Sequence, residues 1–190
     1  MKLLLASNSP RRKELLTQLG YTFDVVKADT DESFPANLTP DQIAEYISKK
    51  KAEAAEVRSG QILLTADTIV TSENKILLKP DSEQEAFAMI KSLSGKTHQV
   101  YTAFTLKTID YQISKTSRTD VEFSEIGDND IDYYIKNFKP FDKAGSYGIQ
   151  EWLGMARIKK ITGSFYAVMG LPIDMVYEEL IKLGCFPKNF

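Results

Sequence analysis

Apolar residues along this chain come in short blocks, and the blocks alternate between continuous runs and helical stripes. "KLLLA" (2–6) is a continuous apolar run, the pattern of a buried strand. It leads into "SNSPRRKELLTQLG", where Ser9 stands at an N-cap position, Pro10 at the first helical position and Gly20 just past the end. Leu15, Leu16 and Leu19 give that helix an apolar stripe. "YTFDVVKA" (21–28) predicts a second strand, and "DTDESFPANL" a polar loop. Thr39-Pro40-Asp41-Gln42 has the form of a capping box and opens a helix of about four turns, to roughly Val57. "QILLTADTIV" (61–70) predicts a buried strand with one internal charge, Asp67, and "NKILLKP" a short strand.

Asp81 is the expected cap of a helix over "SEQEAFAMIKSL", which Gly95 ends. "QVYTAFTLKTI" and "QISKTSRTDVEFSEI" predict two long strands, a hairpin or an antiparallel pair. A helix near 128–138, the loop "KPFDKAGSYGIQEWLG", a strand over "ARIKKITG" and a helix from Pro172 to Gly184 complete the chain. The order is mixed α/β without strict βαβ alternation, on one principal sheet. With no repeat, low-complexity tract or long linker, residues 1–190 are expected to form one domain.

Composition narrows the chemistry. At 43% hydrophobic, 190 residues suffice for one sizeable core. A net charge of −2 argues against a dedicated nucleic-acid binder while leaving room for a local basic pocket. The single cysteine, Cys185, has no intrachain disulfide partner, which fits a reducing compartment. The single histidine, His98, excludes histidine-rich zinc sites and is expected to be structural. No signal peptide or transmembrane run is expected, so the expected location is cytoplasmic.

Against this background "SNSPRR" stands out. A helix N-terminus favours acidic residues, yet this one carries Arg11, Arg12 and Lys13. Free backbone N–H groups beside guanidinium groups suit a phosphate; a solvated basic face is the other reading. Asp67 inside an apolar strand must be paired or hold a cation, unless it sits at a strand end and bonds a loop. Glu32 alone would read as a solvated loop residue. Together with Asp67 and the basic cradle it suggests a Mg²⁺–phosphate site. Lys51 shares the helical stripe of Ile43 and Ile47, so it either snorkels or reaches an internal anion. Lys79 leaves a strand end just before Pro80. Gln150, in "DKAGSYGIQ", can offer both a donor and an acceptor, complementary to O4 and N3–H of uracil or thymine; a loop Gln bonding backbone is the alternative.

"LASNSPRRKELL", "ADTIV", "SGKTHQVYT" and "DKAGSYGIQ" together resemble the Maf family of nucleoside triphosphate pyrophosphatases, in family order and over about residues 3–183. The resemblance implies an elongated mixed sheet flanked by helices, of the Maf/ITPase type, with two lobes, a central cleft and often a homodimer. It implies cleavage of a nucleoside triphosphate to a monophosphate and pyrophosphate with a divalent cation, Mg²⁺ or Mn²⁺. By motif, Ser7, Arg11, Arg12, Lys51 and Lys79 are the phosphate-binding positions, Glu32 and Asp67 the metal positions, and Asp67 the catalytic aspartate. Arg11, Thr68 and Gln150 fall at the specificity positions of the subgroup acting on dTTP and UTP. Two other readings attach to the family: a pyrophosphatase for modified nucleotides such as 7-methyl-GTP or methylated pyrimidines, and a nucleotide-binding regulator of septum formation without turnover. The chain departs from the family pattern at Glu151-Trp152, where a small residue is usual after "GIQ", and at Phe165 and Ala167.

Overall fold

The computed structural model describes residues 1–27 and 30–188. Its first strand, β1 (Lys2–Leu5), connects through α1 (Pro10–Gln18) to β2 (Phe23–Val25), which lies parallel to it on one side. Helix α2 (Pro40–Glu53) then crosses over to β3 (Gln61–Ser72), parallel to β1 on the other side. From there the sheet turns antiparallel. A short β4 (Lys75–Leu77) folds back on Val70–Ser72, and after α3 (Glu83–Leu93) come β5 (Thr97–Lys107) and β6 (Gln112–Phe123). Helix α4 (Asp128–Phe138), two 3₁₀ turns (Pro140–Asp142 and Ala144–Ser146) and α5 (Trp152–Arg157) lead to β7 (Ile158–Thr162). Helices α6 (Phe165–Met169) and α7 (Ile173–Lys182) follow. The sheet order is β2-β1-β3-β5-β6-β7, with β4 on the β1 edge of β3.

That arrangement leaves a gap. β5 pairs with β3 continuously from Leu63 to Thr71. On the other edge β1 reaches only Leu64 and β4 begins only at Val70. Among the described residues the middle of β3, around Ala66 and Asp67, therefore has no strand beside it on that edge, and its backbone needs other partners.

The sheet is covered on both faces, and strand alternation sorts the side chains. Ile62, Leu64 and Ala66 of β3 join Leu3, Leu5, Leu16, Ile90, Phe104 and Tyr134 in the main core. Leu63 and Ile69 face the opposite way, toward α2, where Ala52, Ile43, Ala44 and Ile47 cover them.

Several expected boundaries move. The second strand is three residues rather than eight, and Ala28, at its expected end, lies outside the described residues. Helix α2 stops at Glu53, not Val57. Helix α3 is capped by Ser82, whose hydroxyl accepts from Glu85 N (3.1 Å), rather than by Asp81. Within the expected 139–154 loop, α5 begins at Trp152, and α6 forms where no helix was expected. Both are too short to show an apolar period, so they depend on tertiary packing.

His98 is structural, as expected. It is fully buried, stacked on Phe123 with centroids 5.3 Å apart, and its Nε2 meets the Tyr147 hydroxyl at 2.7 Å. Burial pushes its pKa down to about 4, against a smaller opposing pull from Asp120. The unfolded chain protonates this imidazole near pH 6.5, whereas the folded chain resists protonation until about pH 4. Stability from neutral His98 is thus complete above pH 6.5 and is lost as pH falls toward 4, to a total of about 3 kcal/mol. Urea unfolding at pH 7 and pH 4 measures this. The parent protein is expected to lose about 3 kcal/mol more than a His98→Gln variant over that interval. Equal losses would refute the assignment.

Candidate active site

The gap in β3 is where the chemistry gathers. Asp67 and Thr68 are adjacent and so serve opposite faces of the sheet. Asp67 points to the α2 side, where Lys51 sits in the last turn of α2 on the stripe of buried Ile43 and Ile47. Lys51 Nζ lies 2.7 Å from Asp67 Oδ1 and 2.8 Å from Glu32 Oε1. Lys79, just beyond β4, donates to Glu32 Oε2 at 3.2 Å. Lys51 does not snorkel to solvent, because two carboxylates hold its ammonium inside the cleft.

The two carboxylates are driven apart electrostatically. Burial raises the pKa of Asp67, and the cations Lys51 and Arg12 only partly reverse this. Burial also acts on Glu32, but Lys51 and Lys79 outweigh it and hold that carboxyl below its ordinary value. Glu32 is the firmly ionised member, and Asp67 is the one with the greater affinity for a proton.

Arg12 occupies the gap itself. Its Nη1 donates to Ala66 O (2.9 Å) and Ser7 Oγ (3.3 Å), its Nε to Gly170 O (2.7 Å), and its Nη2 to Thr68 Oγ1 (3.3 Å). Four of the five guanidinium N–H groups thus meet protein acceptors. Burial lowers the Arg12 pKa, opposed mainly by Asp67. Arg11, one residue earlier, turns to the cleft mouth and pairs with Asp142 Oδ2 at 2.8 Å. Ser9 sits at the N-cap, but its hydroxyl makes no capping bond.

The cleft also has apolar walls, with Val70, Val100, Val168 and Met169 among them. Gln150 lines it, and its Oε1 is buried without a hydrogen-bond partner among the described residues. Such an orphan acceptor is costly unless a ligand satisfies it. Thr68 does not orient this amide. Thr102 donates its hydroxyl to Ala167 O (2.7 Å), so the Thr68 hydroxyl donates to Thr102 (3.1 Å) and accepts from Arg12.

Arg11, Arg12, Glu32, Lys51, Asp67, Thr68, Lys79 and Gln150 all line one cleft, and Ser7 lines its continuation beside α1. The cleft also presents Asp142 and Lys143, which sequence reasoning passed over. Both stand in the quoted "DKAGSYGIQ", but as neighbours of opposite charge they read as a solvated loop pair. The lining carries five cations (Arg11, Arg12, Lys51, Lys79, Lys143) against three carboxylates (Glu32, Asp67, Asp142). A net positive cleft in a chain of net charge −2 selects for a polyanion.

The family model described as Maf-like protein matches residues 2–183. The chain is 49% identical over 185 residues to a dTTP/UTP pyrophosphatase of Bacteroides thetaiotaomicron, covering 96% of each chain. It is 48% identical over 186 residues to a protein of the same name from Bacteroides fragilis, again covering 96% of each. Among solved structures it is similar to a HAM1 protein from Coxiella burnetii, at 14% identity over 65% of this chain and 73% of that one, with a TM-score of 0.43.

The two arginines should behave differently when removed. Arg12→Ala strips the partners from Ala66 O and Gly170 O, each costing about 1–3 kcal/mol if left unpaired. Arg11→Ala breaks one partly exposed ion pair, worth about 0–1 kcal/mol. Urea denaturation should therefore show a clear drop in midpoint for Arg12→Ala and little change for Arg11→Ala. Equal stabilities would mean that Arg12 does not seal the sheet gap.

Proposed function

The chain belongs to the Maf family, and we propose that it hydrolyses pyrimidine nucleoside triphosphates, dTTP and UTP foremost, to the monophosphate and pyrophosphate, removing them from the nucleotide pool. One observation carries the proposal: a single cleft with excess positive charge gathers the carboxylates Glu32 and Asp67 and the amide-bearing Gln150. A triphosphate on a base supplies the complement of both the cations and the amide. The names of the relatives from Bacteroides agree with this reading.

Glu32 and Asp67 suit a hard divalent cation such as Mg²⁺ or Mn²⁺, because their oxygens converge on one point, which the Lys51 ammonium bridges. Among the described residues no group of three or more His, Cys, Asp or Glu could hold a metal. Two carboxylates agree with Mg²⁺, which commonly takes the rest of its shell from water and phosphate oxygens. When bound, that ion would offset charge on the phosphates.

The chain's own residues perform the remaining work. Asp67 orients the water that attacks the α-phosphorus and accepts its proton. The new bond joins water oxygen to phosphorus. The α–β bridging bond breaks, and its electron pair leaves with pyrophosphate. Lys51, Lys79 and Arg11 meet the charge that grows on that leaving group, Arg11 after releasing Asp142. Arg12 and Ser7 hold the phosphate end in place, and Gln150, with Thr68 and Arg11 at the other specificity positions, reads the base.

Residues 1–190 act as one domain in this reading. Among the described residues no helix is long and apolar enough to cross a membrane. A cytoplasmic homodimer without a nucleic-acid partner completes the proposal.

A pyrophosphate-release assay across the natural triphosphates, with and without Mg²⁺ or Mn²⁺, tests it. Asp67→Asn should lower the rate by at least about a hundredfold in a folded protein. In the parent enzyme, kcat/KM for dTTP and UTP should exceed that for CTP and GTP by at least about tenfold. Near-normal turnover by Asp67→Asn would remove its role. Equal turnover of all bases would remove the specificity claim alone.

A further inference from the structure

Gln150 is expected to discriminate bases, yet no hydrogen bond among the described residues fixes its Oε1. An amide that flips freely matches uracil in one orientation and cytosine in the other. How deep the amide sits, and hence which base edge it can reach, is set by the backbone that carries it. That backbone is held on both sides. The Gly148 N–H donates to the Tyr134 hydroxyl at 2.9 Å, and Tyr134 is fully buried in α4. The Ile149 carbonyl presses on the start of α5 so closely that a Cβ at Gly154 would stand 1.9 Å from it.

Glu151 joins these supports. The Tyr134 hydroxyl donates to Glu151 Oε2, and Glu151 Oε1 receives Lys143 Nζ at 3.1 Å. The carboxylate is folded under Gly148, where an added Cβ would lie 2.7 Å from Glu151 Cδ. Lys143 is itself buried and also pairs with Asp142 Oδ1 at 2.7 Å, whose other oxygen takes Arg11. A continuous polar chain thus runs from the core at Tyr134 to the cleft mouth. Its central member is Glu151.

We propose that Glu151 is a positioning residue for base choice: by tying Tyr134 to Lys143 beneath Gly148, it fixes the height and direction of Gln150 in the cleft. This rests on the reading of Gln150 as the base-reading group. Glu151 acts directly on the Gly148–Gln150 backbone and is linked to Arg11 at the phosphate end only through Lys143 and Asp142. Its loss should therefore separate selectivity from turnover.

The test compares kcat and KM for dTTP, UTP and CTP in the parent enzyme, Glu151→Ala, Glu151→Gln and Tyr134→Phe. In Glu151→Ala the ratio of kcat/KM for dTTP to that for CTP should fall about tenfold, the effect of one mispaired polar group. The fall should come through KM for dTTP, with kcat for CTP within about threefold of the parent. Glu151→Gln can still accept from the Tyr134 hydroxyl and should recover part of the ratio. Tyr134→Phe removes only a hydroxyl and should lower the ratio as Glu151→Ala does, so it decides the matter if Glu151→Ala does not fold. An unchanged ratio in either folded variant, or an equal loss for every base, overturns the proposal. A parent enzyme with no selectivity overturns it together with the base reading, whereas a selective parent with indifferent variants overturns this proposal alone.

Discussion

The bonding of Arg12 into the open edge of β3 is the interaction on which the site depends. A strand in the middle of a sheet must satisfy its backbone on both edges. β1 stops at Leu64 and β4 starts at Val70, so the stretch between them would otherwise face the cleft unpaired. A guanidinium can close that gap because it is planar, charged and rich in donors, and it bonds Ala66 O, Gly170 O, Ser7 and Thr68 from one position. Another strand there would have satisfied the backbone and filled the cleft. An arginine satisfies Ala66 O and leaves space for a ligand beside Asp67.

The electrostatics of the cleft follow from this economy. Lys51, Lys79 and Arg11 are each held by a carboxylate of the protein itself, so their charge is poised without being free. A polyanion must compete with Glu32, Asp67 and Asp142 for them. Glu32 and Asp142 are partly exposed, and their ion pairs are weaker than the geometry alone would imply. The Asp67–Lys51 pair is more buried and harder to separate.

Much of this was legible in the sequence, for identifiable reasons. The long strands announced themselves by apolar runs, and α1 and α2 by Pro and cap chemistry at their starts. Asp67 was visible because one charge interrupts "ILLTADTIV", and Lys51 because it shares a stripe with two isoleucines. What stayed hidden depended on contacts across long separations. Arg12 and Arg11 look alike in sequence, but only the fold brings Gly170 and Ala66 to one and Asp142 to the other. The Glu151–Tyr134 contact spans two elements whose approach no local pattern encodes. Helices α5 and α6 are short enough that packing, not periodicity, creates them.

The placement of Asp67 and Thr68 on successive positions of β3 has an evolutionary consequence. Side chains on opposite faces of a strand have different packing neighbours, and here Arg12, which bonds Thr68 and lies in the field of Asp67, is what links the two. Drift among the residues around Thr68, Thr102 and Val100 can retune which ligand fits while the Asp67–Lys51–Glu32 cluster stays intact. The converse is rigidity in the reading frame of the strand. A single inserted or deleted residue upstream in β3 would exchange the two faces and deliver the carboxylate to the wrong compartment. Such a strand permits diversification by substitution and resists change in length.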